Sequence, residues 1–394
     1  MIEQHGTLEI YAARLRANIQ TFRSRLAPHV ALGATVKANA YGHGLEQIAP
    51  LLPNAGISWL CVYSIDEAVA VAALETSLPI LVLAPVVMAP EYPDLSPQLD
   101  TLLQSRRMRL TVTDKQSASY LSFYWLRRGG KVPLPIHIQV DTGLTRQGVA
   151  LEQLPALINH VRALSAVRLE GIFMHFSHAD QPGYSANQTQ LAAFVHATMA
   201  ERQRDPQLLL HAHNSGGAWH DGFNALNMVR LGIALYGLQP SLAAPITSIT
   251  PIARLTAPIM AIHTCAVGVG VGYGHTFVTA RISRLGVVPV GYADGYPRML
   301  SNRGFVMLGS GRLPVVGRVS MDQMVVDITD SQAGVGDIVT VISDDPSSPI
   351  GLDNLAQQCD TIGYELATRL GSRLERKIIS DPACSDIADD GFMR

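Results

Sequence analysis

Short runs of apolar and β-branched residues recur along the first part of the chain, at 31–36, 58–63, 80–84, 109–113, 136–140, 169–175, 208–213 and 228–231. Most are separated by segments of helical periodicity, such as 65–74 and 151–164, so the pattern is strand then helix, eight times over. That count predicts an α/β fold, a (β/α)8 barrel of the TIM type. Strands buried on both faces carry unbroken apolar runs, as Leu81, Val82 and Leu83 do. An alternating stretch at 7–11 and a helix-like 12–26 precede the first barrel strand. Beyond about residue 245, strand-like runs at 259–267, 283–290, 305–308, 315–319, 324–328 and 338–342 alternate with glycine-rich turns. A helix-like 352–358 and a strand-like 373–379 follow. The expected organisation is a barrel over 12–245 and a C-terminal mainly-β domain built from 1–11 and 246–394.

Polar residues unusual for their surroundings fall at the ends of the predicted barrel strands. Lys37 follows the apolar run 31–36, ahead of Tyr41, Gly42, His43 and Gly44. It is either a surface lysine or, at the C-terminal mouth of a barrel strand, an amine able to form a Schiff base with a carbonyl compound. Asp141 to Arg146 follow strand five, His175 and His178 strand six, and His213, Asn214, Ser215, Gly216 and Gly217 strand seven; Arg230 and Gly232 lie at strand eight. A barrel brings all of these to one mouth, where the loops after strands seven and eight form the usual phosphate site. Singly, the Asn-Ser-Gly-Gly run reads as a turn and Arg230 as an ion-pair residue. Together with a strand-end lysine they suggest a phosphorylated carbonyl cofactor, of which pyridoxal phosphate is the obvious one. His211 and His213 would share a strand face, so a metal site is conceivable, but no carboxylate accompanies them and no metal is expected.

Composition narrows the partners. Charged residues make up 16% of the chain and the formal net charge is −2, so no nucleic-acid or anionic-membrane footprint appears. Cys61, Cys265, Cys359 and Cys384 are far apart and form no CxxC pair, which points to reduced thiols. The N-terminal residues lack the basic and apolar regions of a secretory signal, and the apolar run 78–89 is too short to span a bilayer. A cytoplasmic location is expected.

The ordered motifs resemble the pyridoxal-phosphate alanine racemases, a (β/α)8 barrel with a C-terminal β domain. Beyond the barrel motifs, the likeness includes Tyr273 in Val-Gly-Tyr-Gly-His-Thr-Phe, the stretch from Gly291 to Arg298, the stretch from Gly317 to Asp322, and Thr361 to Glu365. The resemblance implies that Lys37 holds the cofactor as an internal aldimine. It further implies that Tyr273 of the partner subunit faces Lys37 across the substrate, giving two bases on opposite faces. Lys37 would handle the α-proton of the D-enantiomer and Tyr273 that of the L-enantiomer. Because tyrosine is a poor base at its usual pKa of about 10, His175, bridging towards Arg230, would assist it.

By the same likeness, Tyr41, Ser215, Gly232, Ile233 and Tyr364 hold the phosphate, with Asn214 beside them. Arg230 faces the pyridine nitrogen and leaves it unprotonated, which would suppress transamination. Arg146 lies near the cofactor phenolate on the substrate side, Met321 and Asp322 are substrate-side residues given by the partner, and Tyr292 and Arg318 line the access channel. Gln139 departs from the family, where a lysine, often carbamylated, stands; Ser320 stands where cysteine is common. The activity implied is interconversion of L- and D-alanine, supplying D-alanine for peptidoglycan, in an obligate head-to-tail homodimer. The alternatives are a racemase of another small amino acid such as serine, a metal-dependent barrel hydrolase using His211 and His213, or a cofactor-binding protein without turnover.

Overall fold

The computed structural model of the chain describes residues 5–74, 76–86, 97–220 and 226–380. Cys384, the close of the apolar run 78–89 and the outermost ends of the expected second domain lie outside the described residues. The first strand, β1 (Thr7–Tyr11), leads into the helix Ala12–Arg23. Eight parallel strands follow: β2 (Ala31–Thr35), β3 (Trp59–Val62), β4 (Ile80–Pro85), β5 (Met108–Val112), β6 (Leu134–Asp141), β7 (Val167–Phe173), β8 (Leu209–His211) and β9 (Met228–Leu231). They pair in the order β9-β2-β3-β4-β5-β6-β7-β8. At the remaining seam, the Asn227 N–H donates to Leu210 O at 3.2 Å and the Arg230 N–H to His213 O at 2.9 Å. The Asn227 side chain also accepts from Leu210 N–H and donates to Leu208 O, so one residue stitches the last strand back to its neighbour. The result is the expected barrel, nearly closed, with every strand's C-terminal end at the same mouth.

Apolar side chains on both faces of these strands explain their burial. Leu32, Ala34, Leu60, Ile80, Ile136 and Ile172 are completely inaccessible. Helix starts are equally local: Ser64 and Glu67 form a reciprocal capping box at the head of Ile65–Ala72.

The second domain holds a six-stranded sheet of β10 (Ala253–Pro258), β13 (Phe305–Leu308), β14 (Gly311–Pro314), β16 (Ile338–Ile342) and β17 (Glu375–Ile379), with β1 between β10 and β17. Thr7 pairs with Thr256 on one side and Glu375 on the other. A smaller sheet joins β11 (Ala261–Cys265), β12 (Ser283–Val288) and β15 (Met324–Asp327). One expected strand, 315–319, is replaced by β14. Val315 makes a single bridge to Val326, and Gly317 then turns with φ +77°, a conformation that ends an extended run.

Asn18 fixes the helix Ala12–Arg23 to the link between domains. Its side-chain amide donates to Leu235 O and Thr250 O and accepts from Thr250 N–H, in a nearly inaccessible position. Asn18→Ala strands those groups and is expected to cost about 2–3 kcal/mol. A urea midpoint equal to that of the native protein would contradict this.

Candidate active site

A cavity of about 650 Å³ opens at the C-terminal mouth of the barrel. Its walls include Lys37, Tyr41, Arg146, His175, Asn214, Ser215, Arg230, Gly232 and Ile233 from the barrel, and Tyr364 from the second domain. With Gln139, eleven residues singled out by sequence therefore meet around one space. Thr35, Tyr63, Leu83, Gln147, Phe173, Ile362, Glu365 and Thr368 complete the wall, and none of them was named as a site residue from the sequence.

Lys37 begins a backbone segment that the sequence does not announce. Ala38, Asn39, Ala40 and Tyr41 all have φ between 51° and 55°, a full left-handed turn without glycine. Such residues cost roughly 1–2 kcal/mol each, so the turn must be over-determined by its contacts. Glu67 Oε1 accepts from Ala38 N–H at 2.7 Å while its other oxygen accepts from Tyr63 N–H at 2.7 Å. Asn39 Oδ1 accepts from Leu45 N–H at 2.7 Å. Gly42 ends the turn at φ +79°, where an added Cβ would stand 1.9 Å from the Ala367 carbonyl oxygen. This close approach presses the Lys37 turn against Gly363–Thr368, the helix that carries Tyr364. Burial lowers the Lys37 pKa, Arg146 adds to the effect and Glu67 opposes it.

The same cavity holds a cradle of small and hydroxyl-bearing groups. Ser215 Oγ accepts from Gly232 N–H at 2.9 Å and from Ala234 N–H at 3.3 Å, tying the last two mouth loops together. Asn214 Oδ1 accepts from Gly217 N–H at 3.0 Å and caps the helix Ser215–His220. A Cβ at Gly232 would lie 2.7 Å from the Tyr41 hydroxyl, so only glycine lets that hydroxyl reach the cradle. Burial raises the pKa of both Tyr41 and Tyr364, which stay as neutral hydroxyl donors.

Arg230 is a buried cation, 4% exposed. Nη1 donates to His211 Nδ1 at 2.6 Å and His211 O at 3.1 Å, and Nη2 donates to Met174 O at 2.9 Å and Ala212 O at 3.3 Å. Its guanidinium also stands 5.1 Å above the Phe173 ring. Burial lowers its pKa to about 10, so it remains charged at neutral pH. These contacts correct the expected bridge from His175 to Arg230, because the arginine's hydrogen bonds go to His211 and to carbonyls instead. Burial, with Arg230, Arg146 and Lys37 nearby, lowers the His175 pKa to about 3, which makes it a neutral imidazole within this chain. His211 has both ring nitrogens in hydrogen bonds, the second to His137 at 2.8 Å. Among the described residues, no group of three or more His, Cys, Asp or Glu side chains is arranged to hold a metal ion.

Arg146 is placed by Asp141, whose Oδ1 accepts the N–H groups of Gly143, Leu144 and Thr145 and so winds the loop that carries it. Gln139 lines the same cavity, almost inaccessible, and its Oε1 has no hydrogen-bond partner.

Five expected residues sit elsewhere, clustered on the second domain. Tyr273 is 73% exposed, and Met321 and Tyr292 are also exposed. Arg373 ties this face together, binding Asp322 at 2.6 Å, the buried Asp294 at 2.7 Å and Met321 O at 3.4 Å. The Tyr292 N–H donates to Ser320 O, and Arg318 lies beside the Gly272–Gly274 backbone around Tyr273. None of the five lines the cavity of its own chain.

The chain matches the family models for the alanine racemase N-terminal domain over residues 10–240 and C-terminal domain over residues 252–378. The alanine racemase of Desulfovibrio desulfuricans is 36% identical over 93% of this chain and 96% of its own, and that of Synechocystis 35% over 96% and 100%. Among solved structures, alanine racemase from a D-cycloserine-producing Streptomyces lavendulae matches with TM-score 0.84 and 31% identity over 95% of this chain and 97% of its own. The Bartonella henselae enzyme, solved with covalently bound pyridoxal phosphate, matches with TM-score 0.81 and 30% identity over 95% and 99%. With this coverage in sequence and in three dimensions, the chain belongs to the alanine racemase family of isomerases.

Proposed function

We propose that this protein interconverts L- and D-alanine, with pyridoxal phosphate carried on Lys37 and a site completed by a second copy of the chain. The observation that carries the reading is a buried lysine of lowered pKa lining one cavity with a hydroxyl and glycine cradle. The donor set fits the cofactor. Lys37 Nζ supplies the amine for its aldehyde carbon, Ser215, Tyr41, Tyr364 and the backbone at Gly232 and Ile233 suit its phosphate, and Asn214 and His175 line the wall beside it. Arg146 suits the phenolate side, and Arg230 keeps Nε–H as its one donor not bonded within the chain. Bound there, pyridoxal phosphate supplies an electron-withdrawing ring that makes the substrate's α-proton acidic.

The protein's own groups do the rest. Lys37 Nζ takes or returns the α-proton on one face of the substrate, and its burial favours the neutral amine that this requires. Tyr273 of the partner subunit serves the other face. Arg230 Nε–H would donate to the cofactor's ring nitrogen and, as a guanidinium, keep its proton, which would limit electron withdrawal and disfavour transfer of the amino group. The exposure of Tyr273, Met321 and Asp322, together with their absence from their own chain's cavity, supports a head-to-tail homodimer in which they reach the partner's cavity. Tyr292 and Arg318 on the same face suit the access channel. Tyr364 in the cavity wall favours alanine over a larger substrate, and comparison with serine turnover tests this. Among the described residues no helix is long and apolar enough to cross a membrane. We assign a cytoplasmic role, supplying D-alanine for peptidoglycan.

Borohydride reduction of the purified enzyme followed by peptide mapping should place the cofactor on Lys37, and a label on another lysine would overturn the assignment. Lys37→Ala and Tyr273→Phe subunits, each inactive alone, should regain roughly a quarter of native activity per chain after statistical exchange, because half the dimers then hold one intact site. Continued inactivity after proven exchange argues against shared sites. Ser215→Ala removes the acceptor of two N–H groups and is expected to weaken cofactor binding by about tenfold or more, read by fluorescence titration; native affinity would exclude Ser215 from the cradle. Because Glu67 raises the Lys37 pKa, Glu67→Gln should lower the pH midpoint for amine labelling of Lys37 in cofactor-free protein, and Arg146→Gln should raise it. Midpoints that stay fixed would contradict this electrostatic account.

A further inference from the structure

Five consecutive barrel strands contribute one residue each to a polar chain running from the cavity into the barrel. Arg230 of β9 donates to His211 Nδ1 at 2.6 Å, and His211 Nε2 lies 2.8 Å from His137 Nδ1 of β6. His137 Nε2 faces Glu170 Oε2 of β7 at 3.6 Å, and Arg109 of β5 binds the same carboxylate at 2.7 Å and 3.3 Å. Arg168 binds it from the outer side at 2.8 Å. Both histidines are fully inaccessible, and a Cβ at Gly171 would come within 2.5 Å of the His137 ring, so the space for that ring is built into the strand beside it. His211 is also stacked on Phe173, with ring centroids 4.9 Å apart.

The arginine end fixes the order of protons along the row, and the carboxylate beside His137 is consistent with it. A guanidinium only donates and a carboxylate only accepts. His211 Nδ1 must therefore accept, which puts its single proton on Nε2. That proton goes to His137 Nδ1, which in turn leaves His137 with its proton on Nε2, facing Glu170. Burial holds both imidazoles neutral, and although burial opposes it, His137 and Arg109 together lower the Glu170 pKa and keep its carboxyl ionised. At the other end, the four terminal N–H groups of Arg230 all have acceptors within the chain, leaving Nε–H for the cavity.

We propose that Glu170, acting through His137 and His211, is the positioning device for Arg230. Its carboxylate, 3.6 Å from His137 Nε2, acts through its charge on a one-way row of hydrogen bonds from Arg230 through His211 to His137, which pins the terminal nitrogens and presents Nε–H to the bound ring nitrogen. The proposal rests on the assignment of Arg230 to that nitrogen. Glu170 and His137 are positioning residues, since neither lines the cavity. A purely structural cluster would give fold stability, whereas this row also governs how completely the enzyme avoids transferring the amino group.

The test uses the holoenzyme. With 15N-labelled histidine, His137 and His211 should each show a protonated Nε2 and an unprotonated Nδ1; an Nδ1–H form or an imidazolium at either overturns the proposal without any variant. The second readout is the number of racemisation events per side reaction, in which alanine and pyridoxal phosphate become pyruvate and pyridoxamine phosphate. In Glu170→Gln this number should fall about tenfold, with cofactor content and the KM for alanine kept, and Glu170→Asp should recover most of it. A ratio that stays native in Glu170→Gln while it falls in Arg230→Lys overturns the row but spares the assignment of Arg230. A ratio native in both overturns the assignment and the proposal together. If Glu170→Gln does not fold, the histidine spectra of the native enzyme decide.

Discussion

A guanidinium buried at the end of a barrel strand needs an acceptor for nearly every N–H it carries, and that requirement shapes the floor of this site. Arg230 is nearly inaccessible, and a buried charge without partners costs several kcal/mol. Two main-chain carbonyls beyond β7 and β8, the carbonyl and ring of His211, and the face of Phe173 meet the demand. The carbonyls are available because the strands have ended there, and the imidazole is available because His137 holds it in one tautomer. Strand register, tautomer and cation are thus one arrangement.

The opposite wall is governed by a different constraint. Lys37 reaches the cavity from a left-handed turn of four non-glycine residues, an arrangement that the isolated segment would not keep. The Glu67 carboxylate holds the turn from the barrel side, and the second domain holds it through the Gly42 approach to Ala367. The same carboxylate raises the Lys37 pKa that burial and Arg146 lower. The second domain therefore does more than carry Tyr364, since it also supports the backbone on which the amine is presented.

Much of this was legible in the sequence. The eight apolar runs mark the barrel strands because buried parallel strands leave a continuous apolar trace, and polar residues at their ends meet because parallel strands end together. The left-handed turn was not legible, since Ala38, Asn39, Ala40 and Tyr41 carry none of the glycine that usually signals such a backbone. Nor was the chain through Glu170 and His137, whose members are widely separated in sequence and meet only through inter-strand register. His211 drew attention as a possible metal ligand, and its geometry gives both ring nitrogens to hydrogen bonds. The run 315–319 read as a strand by composition, but Gly317 turns the backbone and the pairing falls on Gly311–Pro314.

The central claim is that two bases on opposite faces of alanine exchange its α-proton at the Lys37 site. The most direct measurement is racemisation of L-alanine in heavy water, with the α-hydrogen of both enantiomers followed by mass spectrometry from the first few per cent of conversion. Two bases predict that newly formed D-alanine carries deuterium at the α-carbon while the remaining L-alanine is still largely protonated. D-alanine that retains the original proton, or equal early labelling of both enantiomers, would contradict the account.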